Sequence, residues 1–298
     1  ASDIYISQLC KDPDMKAIGA CRTCLVQIDG VRGFPASCSV PATEGMVVQT
    51  DSDDARRIRS GVIELTMAML PQPAKSPPFV KGGWGDFGQL TTAAQHHGIQ
   101  SPRWQSRPRE ETDESNPVFN IAMESCILCG RCAQACQEGH QFIGAIDFLG
   151  AGANSRIGTF MDKPLVESIC TTCGQCLSVC PTGAIQTKEQ SAVSSQQSAT
   201  EGGPPTADCL RSVSTTCPYC GVGCGIKIQV GDGDQFVEVL DDPENLSSVG
   251  MLCVKGRFGT SFVHHPDRLT TPLIKEGGEF RPATWDEALD LIAERLTH

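Results

Sequence analysis

Seventeen cysteines in a chain of 298 residues are the first feature with chemical consequences. Sixteen fall into four groups: Cys10, Cys21, Cys24 and Cys38; Cys126, Cys129, Cys132 and Cys136; Cys170, Cys173, Cys176 and Cys180; Cys217, Cys220, Cys224 and Cys253. Within the groups, neighbouring cysteines are mostly separated by two or three residues, too close for many separate disulfides and well suited to metal. Four sets of four thiolates is the arithmetic of four iron–sulfur clusters. Clustered thiolates also imply a reducing compartment, so a cytoplasmic location is expected. Cys209 belongs to no set and reads as a free thiol, buried or incidental.

The second and third groups repeat each other. "CILCGRCAQAC" at 126–136 and "CTTCGQCLSVCPTGA" at 170–184 both follow C-x2-C-G-x-C-x3-C, a specific internal duplication. Three closely spaced thiolates on a tight loop occupy three corners of a cube, and the fourth, on the following helical turn, points to the neighbouring cluster. This predicts that Cys126, Cys129, Cys132 and Cys180 bind one [4Fe–4S] cluster and Cys170, Cys173, Cys176 and Cys136 the other. Pro181 stops the turn behind Cys180 and aims it. Gly130 and Gly174 permit the tight loops and expose N–H groups beside the sulfurs.

The outer groups are less uniform. Cys10 to Cys38 run C-x10-C-x2-C-x13-C. A loop around a [2Fe–2S] cluster on a small β-rich domain fits, with a structural four-cysteine zinc site as the alternative. Cys217-Pro-Tyr-Cys220 alone is also the pattern of a redox dithiol, but that needs a following helix in a βαβ unit. Instead Cys224 follows, then the alternating "GIKIQV", a turn and "QFVEVL", a β-hairpin that returns the chain to Cys253.

Other elements must position these thiols. Residues 54–70 are predicted helical, with Ile58, Val62, Leu65 and Met69 forming one apolar stripe. "LVQI" followed by Asp29-Gly30 signals a strand and hairpin. Residues 101–117 and the Ser/Gln/Gly/Pro-rich stretch 191–208 read as connectors. Thr284 and Glu287 form a capping box for a last helix whose buried face is Leu289, Ile292, Ala293 and Leu296. His96, His97, His264 and His265 are assigned to surface or packing roles. The composition is that of a globular protein, 40% hydrophobic and 20% charged, with a net charge of −11 that disfavours nucleic acid and anionic membranes. No apolar run reaches the roughly 18 residues of a membrane helix.

"QLCKDPDMKAIGACRTCLVQIDG" resembles the N-terminal [2Fe–2S] domain shared by formate dehydrogenase α subunits, the G subunit of respiratory NADH dehydrogenase and some iron hydrogenases. Relatives carry about 30 residues of strand before the first cluster cysteine, against nine here, so the chain is expected to begin inside the domain. They usually also carry a His-x3-Cys-x2-Cys-x5-Cys cluster after the helix. Here Gln72, Ser76, Phe79 and Gly85 fall at those positions, which argues against the respiratory protein. "CPYCGVGCG", "LCVKGRFG", "FVHHPDRLTTPLI" and "FRPATWDEALDLIAERL" resemble the start of molybdopterin oxidoreductases, formate dehydrogenase α subunits in particular.

The resemblance implies an α+β, multi-domain iron–sulfur protein. Its expected parts are a truncated β-grasp-like [2Fe–2S] domain at 1–70, a connector with a degenerate cluster site at 71–118, a two-cluster [4Fe–4S] domain at 119–190, a linker at 191–208, a small β-rich [4Fe–4S] domain at 209–268, and the start of the catalytic molybdopterin domain at 269–298. It implies one [2Fe–2S] and three [4Fe–4S] clusters, the fourth held by Cys217, Cys220, Cys224 and Cys253. It also implies a molybdenum- or tungsten-bis(molybdopterin guanine dinucleotide) in the full-length enzyme, with Lys255 between the fourth cluster and the pterin. The activity implied is formate oxidation to CO2, its catalytic residues lying outside these residues, with electrons passed to a flavin- and NAD-binding β subunit. A respiratory NADH dehydrogenase component, an iron hydrogenase and a free-standing polyferredoxin are the alternatives.

Overall fold

The computed structural model describes all residues except 1–3, 71–87, 105–108, 110, 140, 189–210, 232–235 and 298. Gln72, Ser76, Phe79 and Gly85, the 191–208 linker and Cys209 lie outside the described residues. The chain divides into two compact units, Ala1–Phe258 and Gly259–His298. Helix and strand are mixed throughout.

In the first unit, β1 (Gln27–Ile28) pairs antiparallel with β2 (Val48–Gln49). The Asp29-Gly30 turn forms, with Gly30 at φ +77° and the Val31 N–H donating to the Ile28 carbonyl at 3.1 Å. The chain returning from it touches only at a Leu25–Ala36 bridge, and the ladder goes to β2 instead. Helix α1 (Asp53–Ala68) begins at Ser52, whose hydroxyl accepts from the Ala55 N–H, with Asp53 and Asp54 facing the positive end of the dipole. Its buried face is Ala55, Arg59, Ile63 and Thr66, not the stripe through Leu65, which is 54% exposed. Arg59 explains the offset: its guanidinium donates to the Thr50 carbonyl at 2.6 Å and pairs with Asp51 at 3.3 Å, so its stem is buried. Helix α2 (Gly88–His96) lays Leu90, Ala93 and Ala94 against Leu9 and Ile63.

The internal repeat is closed by a sheet at its ends. β3 (Thr112–Asp113) and β4 (Phe119–Ala122) precede the first cysteine loop. Then come α3 (Arg131–Gln134), a π-turn at Ala135–Gly139, and a hairpin of β5 (Ile146–Leu149) and β6 (Arg156–Thr159). After the second loop, α4 (Gln175–Ser178) leads to β7 (Ile185–Thr187). The sheet order β3-β4-β7 brings the two ends of the repeat together over a core of Phe119, Ile121, Met123, Leu165, Leu177 and Ile185.

Beyond residue 210, β8 (Arg211–Thr216), β9 (Gly225–Val230) and β10 (Phe236–Asp241) form an antiparallel sheet with β9 central. The β9–β10 pair is the expected hairpin. β8 has no alternating apolar signal and is held by its ladder to β9. Helix α5 (Val254–Phe258) follows Cys253. The second unit contains the hairpin β11 (Leu273–Glu276) and β12 (Glu279–Pro282), then α6 (Trp285–Thr297). The Glu287 N–H donates to Thr284 Oγ1 at 3.2 Å, as the capping box requires. The Glu287 carboxylate pairs with Arg281 at 2.6 Å rather than reaching back to the cap. The face expected to be buried is open: Leu289, Ile292 and Leu296 are exposed, and no residue of α6 is buried.

Candidate metal centres

All sixteen described cysteines are free thiols. The two repeat loops have the same backbone. Leu128 and Thr172 take φ +54° and +56°, and Gly130 and Gly174 take φ +79° and +76° as the N-caps of α3 and α4. This left-handed turn folds the middle thiols back towards the first. Backbone N–H groups of Leu128, Thr172 and Ala145 donate to the sulfurs of Cys126, Cys170 and Cys136 at 3.4, 3.4 and 3.2 Å.

The electrostatic neighbourhoods are crossed. Burial pushes the Cys126 thiol up to about 11 and Cys129 to about 12, with Cys180 beside both raising them further. Burial also holds Cys132 far above the usual range, with Cys129, Cys126 and Cys180 adding to it. Cys170 and Cys176 are raised first by burial, then by neighbours that include Cys173 and Cys136. Cys180 thus neighbours the thiols of the first loop as well as Cys176, and Cys136 neighbours Cys170 and Cys176. A cavity is lined by Cys136, Cys170, Cys173 and Cys176 with apolar Phe119 and Leu165. Cys176 is also among the neighbours that raise Cys132, so the two sets adjoin.

In the first group, Cys10 and Cys24 are buried. A hydrogen bond between Cys10 and Cys21 raises the first thiol and lowers the second. Cys24 is raised, mainly by burial, and is hydrogen-bonded with Cys38. In the fourth group, the Cys217 N–H donates to the Cys224 carbonyl at 2.8 Å. Burial raises Cys224, helped by Cys217, Cys220 and Cys253, so the four thiols share one neighbourhood. Cys220 and Cys253 are exposed, and so is Lys255 on α5. His97 Nδ1 lies 3.0 Å from Ser60 Oγ, and the His96 ring packs 4.6 Å from Tyr5.

The donor chemistry suits iron–sulfur clusters. Each set offers four sulfurs, and in the first group the Thr23 and Ser39 hydroxyls lie 3.2 and 3.4 Å from the Cys21 and Cys38 sulfurs. N–H groups aim at sulfurs, and in the repeat the surroundings are apolar. Among the described residues, no three His, Cys, Asp or Glu side chains group as ligands of a single metal ion.

Two polar residues that cysteine spacing does not single out link the sets, and a third bonds the first loop. Arg131 Nη2 donates to the Gln8 and Lys11 carbonyls, on either side of Cys10, at 3.2 and 2.7 Å, and to Gln89 Oε1 at 2.8 Å. Arg257 Nε donates to the Cys173 carbonyl at 2.9 Å, and its Nη2 to Gln175 Oε1 at 3.1 Å and Asp241 at 2.7 Å. Arg109 Nη1 donates to the Cys126 carbonyl at 2.7 Å. The four thiol sets therefore lie in series: fourth group, second loop, first loop, first group. Arginine is legible as a charge in sequence, but its burial is set by carbonyls far along the chain.

Four known families match parts of the chain. Residues 1–53 match the 2Fe-2S iron-sulfur cluster binding domain, 125–184 the 4Fe-4S dicluster domain, 210–265 the molybdopterin oxidoreductase Fe4S4 domain, and 268–298 the molybdopterin oxidoreductase family. Together they make the chain similar to iron–sulfur domains and to molybdopterin oxidoreductases. Among individual relatives, "Probable oxidoreductase YjgC" of Bacillus subtilis (strain 168) is 30% identical over 99% of this chain and 32% of its own length. A G-type component of NADH-quinone oxidoreductase from Rhizobium meliloti (strain 1021) is 29% identical over 98% of this chain and 32% of its own. A Staphylococcus aureus (strain Mu50) protein with a provisional formate dehydrogenase name is 26% identical over the whole chain and 32% of its own length. The chain thus spans about a third of these relatives. A chain of the NAD+-reducing [NiFe]-hydrogenase, crystallised in the H2-reduced state, superposes with a TM-score of 0.53. It is 28% identical, and the match covers 62% of this chain and 76% of that one.

Proposed function

We propose that the chain is the electron-transfer portion of a molybdopterin-dependent formate dehydrogenase α subunit, delivering electrons to a flavin- and NAD-binding partner subunit. The observation that carries the electron-transfer reading is the serial arrangement of four all-thiol sets, with buried arginines at both outer junctions. Formate as substrate is supported by the Staphylococcus relative and by the pairing of CPYCGVGC with LCVKG in one chain. The NAD-reducing hydrogenase supports a nicotinamide-linked partner.

In this reading Cys10, Cys21, Cys24 and Cys38 hold a [2Fe–2S] cluster on a β-grasp-like domain. Cys126, Cys129, Cys132 and Cys180 hold one [4Fe–4S] cluster; Cys136, Cys170, Cys173 and Cys176 hold the second; Cys217, Cys220, Cys224 and Cys253 hold the third. Bound clusters supply one-electron carriers. The apolar residues around the repeat thiols exclude water, and N–H groups to sulfur favour the thiolate form that a cluster needs. Lys255, two residues past Cys253, is the expected contact to the pterin, which supplies the formate chemistry when bound.

A component of a respiratory NADH dehydrogenase is the second reading, favoured by the Rhizobium relative. Residues 72, 76, 79 and 85 are not iron ligands, which weighs against it. Two measurements test the proposal. Anaerobically reconstituted chain is expected to hold about 14 iron atoms with matching acid-labile sulfide; zinc without sulfide overturns the cluster reading. The full-length protein is expected to contain molybdenum or tungsten and to reduce a dye with formate. Full iron content with neither metal and no formate-dependent reduction would give the second reading.

A further inference from the structure

Arg257 lies where two thiol sets meet. It is four residues after Cys253 on α5, and its own N–H donates to the Cys253 carbonyl at 3.1 Å. Its side chain, 2% exposed, crosses to the second repeat loop and donates through Nε to the Cys173 carbonyl at 2.9 Å. One buried residue thus hydrogen-bonds the backbone of a cysteine from each set. The loop is shaped to receive it. Gly174 has φ +76°, and a Cβ there would strike Arg257 Cδ and come within 2.7 Å of the Phe258 ring. Gln175 Oε1 accepts a second bond from the guanidinium, and Asp241, at the end of β10, accepts a third.

We propose that Arg257 is the positioning residue that couples the Cys170–Cys176 set to the Cys217–Cys253 set, fixing their separation and, with Asp241, setting how readily the nearer centre accepts an electron. The proposal rests on the reading that both sets hold clusters. A guanidinium in a poorly solvated junction favours the more negative, reduced state of a neighbouring centre, and Asp241 partly offsets it. Removing the cation takes positive charge out of the junction and keeps the Asp241 carboxylate. Removing the anion takes negative charge out and keeps the guanidinium. The two changes therefore act with opposite signs, whereas loosened packing has no reason to do so.

The test is a mediated redox titration, followed by electron paramagnetic resonance, of the anaerobically reconstituted chain and two variants with iron and sulfide determined on each. Arg257→Gln is expected to lower the potential of one [4Fe–4S] signal. The expected size is about a tenfold change in its one-electron equilibrium, or about 59 mV. Asp241→Asn is expected to raise the same signal, leaving the [2Fe–2S] signal unmoved. Should Arg257→Gln lose its clusters, Asp241→Asn carries the sign test alone, because it leaves the Cys173 hydrogen bond intact. Full iron content with both potentials unmoved, or shifted in the same direction, overturns this inference while leaving the proposed function standing. A wild-type chain that takes up no iron and sulfide overturns both.

Discussion

Replacing Arg131 with methionine should loosen the Cys10 loop while sparing the rest of the molecule. The methionine keeps an unbranched stem of similar bulk and removes the guanidinium. In the native chain one nitrogen, Nη2, serves the Gln8 and Lys11 carbonyls and Gln89 Oε1. With two hydrogens for three acceptors, it supplies about two full charge-assisted bonds, each contributing roughly 1.5–3 kcal/mol. Arg131 Nε is buried without a hydrogen-bond partner among the described residues, and losing it returns about 1–3 kcal/mol. The balance is about 3 kcal/mol against the loop, or roughly a hundredfold in its opening equilibrium. Hydrogen exchange of the reconstituted chain, read by mass spectrometry, measures this directly. Amides of residues 8–15 should exchange about a hundredfold faster, with β9 and β10 unchanged. Arg131→Lys should recover little, since a single ammonium lacks the reach and planar fork of the native group. Acceleration below about threefold, or acceleration spread equally over β9 and β10, refutes the reasoning.

Two further outcomes are expected. If the repeat thiols are crossed as their electrostatic neighbourhoods indicate, Cys180→Ala and Cys129→Ala disable the same site. The double variant should lose about four iron atoms, no more than either single variant, whereas Cys180→Ala with Cys173→Ala should lose about eight; the reverse pattern defeats the crossing. Burial pushes Glu238 on β10 up to about 7 from 4.5. A carboxyl raised on folding stabilises the protonated state, so its contribution is full below about pH 4.5 and is lost as pH rises through about 7. Glu238→Gln should therefore gain about 2–3 kcal/mol on wild type at pH 8 in local exchange of the β8–β9–β10 sheet. The gain should shrink towards acid, and a gain independent of pH counts against the burial argument.

Much of the thiol architecture was legible because cysteine spacing is short-range information. C-x2-C-G-x-C fixes its own loop, and both copies fold with the same positive-φ residues. The β9–β10 hairpin was legible for a similar reason: alternation is a property of one strand. What escaped depends on partners distant in sequence. The stripe through Ile58, Val62, Leu65 and Met69 ranks residues by hydrophobicity and so leaves Arg59 outside, but the Thr50 carbonyl and Asp51 give its head a place and draw its stem inward. β8 is entirely exposed on its side-chain surface, and only the ladder from β9 makes it a strand. For α6 the apolar pattern is genuine, yet the unit Gly259–His298 has no surface of its own that buries it.

The duplication also explains where the neighbouring segments attach. Each loop glycine in the left-handed conformation leaves a bare face with no Cβ. On Gly130 that face is covered by Ile18 and Phe148; on Gly174 it is covered by Arg257 and Phe258. The next residue of the motif then decides which side supplies the charge. At the first junction it is Arg131, which reaches out to carbonyls around Cys10. At the second it is Gln175, whose side-chain carbonyl receives Arg257 from outside. The two junctions thus use the same backbone with donor and acceptor exchanged. Each has one buried guanidinium that donates to carbonyl oxygens across the junction. Two facing arginines would repel, and two facing glutamines would leave the junction without its buried guanidinium. The one variable position between the second and third cysteines of each copy therefore carries the difference between the two docking faces, and with it the order in which the four thiol sets follow one another.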